Sequence, residues 1–509
     1  MTIASPIARL LLATSLILST LLFSIDSTIV NVALPHIQGS LQATQDQAAW
    51  IATAYMVVGA VFTPLSGWLG LRFGLRPILL ASVIGFTACS LLCGVATSLT
   101  QMVLFRALQG AFGAALIPLA QVTFLQDFPR ASYARLTSIW ATAALVGPII
   151  GPTLGGYLTD SFSWRWAFYI NLPIGILAWL GISTSMPAAR ARSRKPFDLS
   201  GFVFLSLAIG LVQLMLDRGQ TQDWFSSVEI VAEAFFAALF LWMYVAHAWF
   251  HKHAFVDLKL FRDRNFSLCT LTQGLVAAFV MSPGVLLPTF LQQLQGYTPA
   301  QAGKLMAARG AASMVAMFIS GRFASRINSR LSMIAGTLLI STTLVAVAQF
   351  SVDTPPVLIV LSGILLGIGM PMTYIQTQLI AFSTLPEALR IEGGVILRLA
   401  VGIGGSIGIS LSVAELARSA QMNQAYLGEF FTPYTLDRWI ALGGPPETNT
   451  GTALLIAEIQ RQALSLAYAN VYFALAGAAL LSVPGILWMR NTRQATAMAT
   501  GEQIGHSAG

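Results

Sequence analysis

Gly67-Trp68-Leu69-Gly70-Leu71-Arg72-Phe73-Gly74-Leu75-Arg76-Pro77 is answered later in the chain by Gly321-Arg322-Phe323-Ala324-Ser325-Arg326-Ile327-Asn328-Ser329-Arg330. Gly67 and Gly321, Arg72 and Arg326, and Arg76 and Arg330 are each 254 residues apart, and the same offset relates Gly151 to Gly405. Asn328 stands where the first copy has Gly74, a position expected to take a left-handed backbone that suits either residue. The repeat predicts two homologous halves in parallel orientation, as in one large class of membrane folds.

Composition says what the repeat is embedded in. Of 509 residues, 56% are hydrophobic and 9% charged, with a mean hydropathy of +0.72. Soluble domains carry about 25% charged residues, and disordered chains are polar, so both classes are excluded. Apolar runs of spanning length, about 20 residues, begin near residues 10, 47, 77, 101, 135, 165, 199, 229, 266, 301, 332, 356, 393 and 464. That predicts fourteen transmembrane helices. The first run is read as a retained span, because it continues through Asp26 to Pro35 without a small-x-small cleavage site.

The two repeat loops follow spans 2 and 10, a displacement of eight spans where a six-helix unit would give six. Two helices are therefore inserted between the halves. The predicted organisation is a six-helix bundle over 1–186, a two-helix insertion over 187–264, and a second six-helix bundle over 265–509. The last carries a long periplasmic loop at about 418–463.

Charge sets the orientation. Of the 28 basic residues, 19 fall at the ends and loops on one side if the N-terminus is cytoplasmic, so both termini are expected there. The net charge of +8 then reflects topology, and no nucleic-acid partner is implied. Cys89, Cys93 and Cys269 lie in apolar segments and read as packing residues.

Three motifs carry chemistry. Span 1 contains Ile25-Asp26-Ser27-Thr28-Ile29-Val30-Asn31, and Asp26 is an acid deep inside a span. Such a carboxylate must face a cavity, find a partner or accept a proton, and a proton relay is favoured over a structural ion pair. Span 4 places Arg106 beside Gln109 and Gly110; a guanidinium stays charged and needs a polar cavity or an acid. Span 5 repeats Gly147, Gly151 and Gly155 at every fourth position, with Gly156, Pro148 and Pro152 alongside. It predicts a bend or a closely packed helix interface. Other patterns read as bland: Gly402–Gly408 is helix packing, His251-Lys252-His253 is a solvated turn, and no nucleotide loop, metal centre or catalytic triad is present.

The Gly67–Arg76 loop, Arg106 with Gln109-Gly110, the Gly147–Gly156 run and Trp164-Arg165-Trp166 through Asn171, Pro173 and Gly175 together resemble the major facilitator superfamily. The span-1 string to Pro35 narrows this to its fourteen-helix drug:proton antiporters. Leu216-Asp217-Arg218-Gly219, Asp223–Ser227, Val256-Asp257-Leu258 and Arg264-Asn265-Phe266 are similar to the EmrB-type subgroup. The resemblance implies an all-α major facilitator fold and a proton-driven multidrug efflux antiporter of the bacterial inner membrane. Asp26 and Arg106 would couple protons, and Gly147–Gly156 would be the antiporter motif. Gly67, Arg72, Gly74 and Arg76 would form the cytoplasmic gate loop. It implies hydrophobic small molecules, protons and membrane lipids as partners, with a periplasmic adaptor and an outer-membrane channel. The proton gradient serves as the energy source, with no cofactor. One departure is Leu71, where the family carries a gate acid; Ser325 is the uncharged counterpart in the second half.

Asn31, Gln109, Arg309 and Arg398 are the polar residues expected to line the substrate cavity. Lys304, Arg309 and Arg398 add positive potential, so lipophilic weak acids or neutral compounds are expected over permanent cations. A dedicated metabolite or lipid exporter is the alternative within transport; a membrane-embedded enzyme or sensor is the remote one.

Overall fold

The computed structural model describes residues 6–128, 133–187, 196–251, 254–323, 327–386, 389–430 and 449–489. In hydrocarbon the backbone must satisfy its own hydrogen bonds, and every span is accordingly helical. The first half comprises α1 (Pro6–Ser40), α2 (Gln45–Phe73), α3 (Leu75–Val95), α4 (Leu99–Gly113), α5 (Leu116–Asp127), α6 (Tyr133–Ser161), α7 (Trp166–Tyr169) and α8 (Asn171–Ser185). α9 (Leu199–Arg218) and α10 (Val228–Phe250) follow. The second half contains α11 (Arg264–Gln293), α12 (Pro299–Phe323), α13 (Ser329–Ala348), α14 (Pro356–Ser383), α15 (Arg390–Glu429), α16 (Asn449–Leu480) and α17 (Ser482–Trp488). Three spans are broken in two: α4–α5, α7–α8 and α16–α17. Among the described residues, thirteen spans are long and apolar enough to cross a membrane. The fourteenth expected span is the 29-residue α6, some of whose side chains lie outside the described residues.

Small residues bring helices together in the same way in both halves. A Cβ on Gly147, Gly151 or Gly155 of α6 would run into Ser24, Thr28 and Ile29 of α1 respectively. The close approach instead lets hydroxyls of α1 reach carbonyls of α6: Ser24 Oγ donates to Ala144 O at 2.5 Å and Thr28 Oγ1 to Gly147 O at 3.1 Å. The close-packed reading of the motif therefore holds for its three spaced glycines. Gly156 lies outside it, since a Cβ there meets only Val32, at 3.8 Å. The side chains of Pro148 and Pro152 lie outside the described residues. In the second half, Gly404 and Gly408 of α15 press on Gly274 and Ala278 of α11, and Gly405 on Met281. The 254-residue offset from Gly151 to Gly405 thus relates equivalent faces of equivalent helix pairs.

The gate-loop end departs from the repeat. Gly74 adopts φ 95°, ψ 155° between α2 and α3, a region open to glycine alone. Asn328 does not share it: its φ is −68°, and its side chain caps α13 by accepting from Arg330 N at 3.1 Å. The expected left-handed equivalence fails because asparagine supplies a capping acceptor that glycine lacks. Arg76 donates to Ser183 O at 2.6 Å and Arg72 is exposed, while Arg326 lies outside the described residues.

At this end several uncharged contacts join the halves. Gly67 of α2 faces Val395 of α15, Val122 of α5 faces Gly394, and Gln121 Nε2 donates to Gln378 Oε1 at 2.9 Å. At the other end, α9 joins α15 through Gln213 Nε2 to Ser406 Oγ at 3.1 Å and Ser410 Oγ to Leu216 O at 2.7 Å. It joins α2 through Thr53 and Asp217. α10 lies outermost, with Phe235, Trp242, Trp249 and Phe250 exposed, as suits a lipid-facing helix.

The expected loop at 418–463 is largely helix. α15 runs 40 residues to Glu429 and α16 begins at Asn449, with Asn423 Nδ2 donating to Ala463 O at 3.3 Å. Hydropathy ended the span where polar residues begin, yet Ala, Glu, Arg, Gln and Leu there are strong helix formers. Trp439 and the rest of 431–448 lie outside the described residues.

Gly151→Val places methyls against Thr28 and should destabilise the purified protein by about 1–3 kcal/mol, read as a lowered Tm in detergent. Gly156→Ala should leave Tm unchanged or raise it. Equal losses for the two would contradict the assigned interface.

Candidate functional site: a buried carboxylate–guanidinium cluster

Asp26 lies on the face of α1 away from α6 and is fully buried. Its Oδ2 accepts from Arg106 Nη1 at 2.6 Å, and its Oδ1 accepts from Gln109 Nε2 and Asn171 Nδ2, each at 2.9 Å. All three partners donate, the arrangement an ionised carboxylate requires. Arg106 and Gln109 are three residues apart and share one face of α4, where Nη1 also donates to Gln109 Oε1 at 2.8 Å. Asn171 opens α8 and donates a second bond to Ser90 Oγ at 2.9 Å, which in turn donates to Phe168 O. Three helices thus converge on one carboxylate with no net charge left over.

Tyr55 of α2 completes the site. A Cβ on Gly110 would collide with the Tyr55 carbonyl, so glycine there lets α4 and α2 approach closely. The Arg106 guanidinium carbon consequently lies 4.0 Å from the Tyr55 ring centroid, a cation–π distance. The Tyr55 hydroxyl is buried and has no hydrogen-bond partner among the described residues.

The sequence expectations divide accordingly. Asp26, Arg106 and Gln109 are brought together as one cluster. Gly147–Gly155 back the opposite face of α1, and the gate loop lies at the far end of α2. The side chain of Asn31 lies outside the described residues. Arg309 does not join the cluster: it sits inside the second half against Gly363, and its Nη2 donates to Val280 O at 2.5 Å. Lys304 is exposed. Arg398 of α15 reaches across to α1, its guanidinium 5.6 Å from the Phe23 ring centroid. Asn171 and Tyr55 were missed as site residues. Asn171 stood in a quoted motif, and a polar amide within an apolar run was its only signal; Tyr55 had none, because an aromatic in a span reads as packing.

Comparison with known proteins places this geometry. The Major Facilitator Superfamily profile matches residues 16–409. The fatty acid resistance protein FarB of Neisseria gonorrhoeae is 33% identical over 422 residues, covering 83% of each chain. The multidrug export protein EmrB of Haemophilus influenzae is 32% identical over 489 residues, covering 94% of this chain and 95% of its own. Among solved structures, the proton:xylose symporter XylE superposes with a TM-score of 0.62 at 12% identity, over 95% of this chain and 96% of that one, a likeness of fold. The superfamily match and the EmrB export protein make the chain a transporter, which sets aside the membrane-enzyme alternative. The chain is a multi-pass membrane transporter belonging to the Major Facilitator Superfamily, of its EmrB type.

Proposed function

We propose that the protein is a proton-driven efflux antiporter that exports hydrophobic compounds across the bacterial inner membrane by alternating access. The observation that carries this reading is the fully buried Asp26, held by Arg106, Gln109 and Asn171 at mid-span. A carboxylate at that depth is costly to keep for stability alone. Protonating it removes the charge that Arg106 and the two amides serve, so the three donors must rearrange. That gives proton arrival a structural consequence.

The moving bodies are the halves 1–186 and 265–509, with 187–264 between them. The basic-residue bias places the gate loop and both termini in the cytoplasm. Contacts of Gly67 with Val395 and Val122 with Gly394 then close the cytoplasmic side, leaving a conformation that faces outward. The proton gradient is the energy source and no cofactor is required. The name of the EmrB relative supports a multidrug range, and that of FarB supports a second reading, a dedicated exporter of a lipid-like metabolite. A periplasmic adaptor and an outer-membrane channel are proposed from the resemblance. The projecting α15–α16 pair, with Tyr426, Phe430, Leu454 and Ile456 exposed, offers apolar surface for the adaptor.

Asp26→Asn should insert at wild-type levels yet reduce gradient-driven substrate uptake into inside-out vesicles to the level of vesicles lacking the protein; wild-type uptake would refute proton coupling at this residue. The gate can be tested covalently. A Cβ on Gly67 lies 3.7 Å from Val395 Cβ, close to the usual disulfide spacing of about 3.8 Å. Oxidising the Gly67→Cys/Val395→Cys pair should arrest efflux, and a reductant should restore it. Unchanged efflux in fully cross-linked protein would contradict alternating access through this gate.

A further inference from the structure

In sequence, His251-Lys252-His253 reads as a solvated turn. The fold gives His251 different neighbours, while His253 lies outside the described residues. His251 directly follows α10, and its N–H donates to His247 O at 2.9 Å. The chain therefore keeps helical register there, and two imidazoles four residues apart share one face. Their rings stack with centroids 4.8 Å apart and planes inclined by 20°. Both stand at a helix C-terminus, where the last carbonyls favour a cation.

Opposite them is Asp198, buried where it caps the start of α9. Gly201 N donates to its Oδ1 at 2.9 Å and Phe255 N to its Oδ2 at 3.0 Å. A Cβ on Gly201 would strike the carboxylate, so glycine makes room for it. Backbone groups thus orient the acid as outer-shell partners orient a metal ligand. His247 Nε2 lies 2.9 Å from both carboxylate oxygens. Ligand atoms of Asp198, His247 and His251 all lie within 4.8 Å of one another, the one such group among the described residues. A hydrogen bond to Asp198 accounts for His247. It gives no role to His251, which is exposed and still brings a third donor to the same place.

We propose that Asp198, His247 and His251 bind a divalent transition metal of the zinc class, with water in the fourth position. Two imidazole nitrogens and one carboxylate suit zinc and its first-row neighbours, whereas magnesium and calcium take oxygen ligands. Zinc–ligand bonds of about 2.0–2.2 Å set donors about 3.4 Å apart around a tetrahedron, so the exposed His251 ring has at most about 1.4 Å to close. The metal ties the end of α10 to the start of α9 at the gate-loop end, where Phe197 packs on Trp68 of α2 with centroids 4.7 Å apart. The tie continues through 254–257. Phe255 N bonds Asp198, Val256 N donates to Tyr244 Oη, and Asp257 N donates to Glu392 Oε2, the last two at 3.2 Å. Glu392 stands three residues before Val395, which faces Gly67. A metal there stiffens the hold of the inserted helices on α15. The site is independent of the efflux reading, and the metal takes no part in the proton cycle.

The test uses purified full-length protein without a polyhistidine tag. A background of His36→Ala, His253→Ala and His506→Ala leaves His247 and His251 as its only histidines. This protein should take up one Zn²⁺ per chain with a Kd of about 1 μM or tighter, read by competition with a fluorescent chelator. Co²⁺ should give the intense visible bands of a four-coordinate site, Zn²⁺ should raise Tm, and excess Mg²⁺ should not displace it. His251→Ala is the discriminating variant, because a His247–Asp198 hydrogen bond alone predicts no change. The metal site predicts a loss of Zn²⁺ affinity of at least about tenfold, the cost of losing even an outer-shell partner, and no Tm gain. Asp198→Asn keeps a capping side chain and should weaken Zn²⁺ by a similar factor. Tm of each metal-free variant checks folding. Absence of saturable Zn²⁺ uptake, its loss in the background that retains both histidines, displacement by Mg²⁺, or equal affinity in His251→Ala overturns the site.

Discussion

A charged carboxylate and a charged guanidinium share one bond in the middle of the first half, and much of the architecture follows from keeping them there. Removing either partner of a buried ion pair costs about 3–5 kcal/mol, because the remaining charge is stranded. Asp26 and Arg106 therefore require each other, and the amides of Gln109 and Asn171 occupy the other carboxylate oxygen. The pair brings no large net stability over a well-packed apolar core. Its retention is understandable if one member changes charge during work, which is the role proposed for Asp26.

The two faces of α1 divide the labour. One face presents Asp26 to α4 and α8. The other presents Ser24, Thr28 and Ile29 to the glycines of α6, where hydrogen bonds to backbone carbonyls replace side-chain packing. In a bilayer, close backbone approach supplies the packing energy that the hydrophobic effect supplies in water. The glycine motif fixes the register of α1, and through it the position of the carboxylate. α11 and α15 repeat the packing with Val280 at the position 254 residues after Asp26, so the buried carboxylate cluster is a feature of the first half.

Several of the contacts between the halves among the described residues are weak and non-ionic. Gly67 lies against Val395, Gly394 against Val122, and the Gln121–Gln378 amide pair joins α5 to α14. Contacts of this kind separate without stranding a charge. α9 adds a bond to each half, to Thr53 on one side and to Ser406 and Ser410 on the other, giving the inserted helices a place on the seam. Near the gate-loop end of that insertion, Asp198 accepts from Gly201 N and Phe255 N and lies 2.9 Å from His247 Nε2. A hydrogen-bonded cap thus holds the start of α9 to the end of α10.

The span count, the repeat and the identity of Asp26 and Arg106 were legible in the sequence because each is a matter of cost along the chain. Twenty apolar residues cannot stay in water, and a buried charge cannot stay alone. The 254-residue offset was legible because duplicated halves keep their glycines where helices cross. Partners on other helices were not legible. Nothing local to Asn171 or Tyr55 says that either turns toward Asp26 and Arg106, and nothing local to Arg309 and Arg398 says which one faces inward. Arg309 is absorbed by a carbonyl on α11, while Arg398 reaches across to Phe23. The helical extension through Glu429 was hidden for another reason: hydropathy reports where a chain leaves the bilayer, and a helix has no need to end there. Sequence settles which groups cannot be left unsatisfied; only tertiary packing decides what satisfies them, because the partners lie far apart along the chain and meet only when the helices cross.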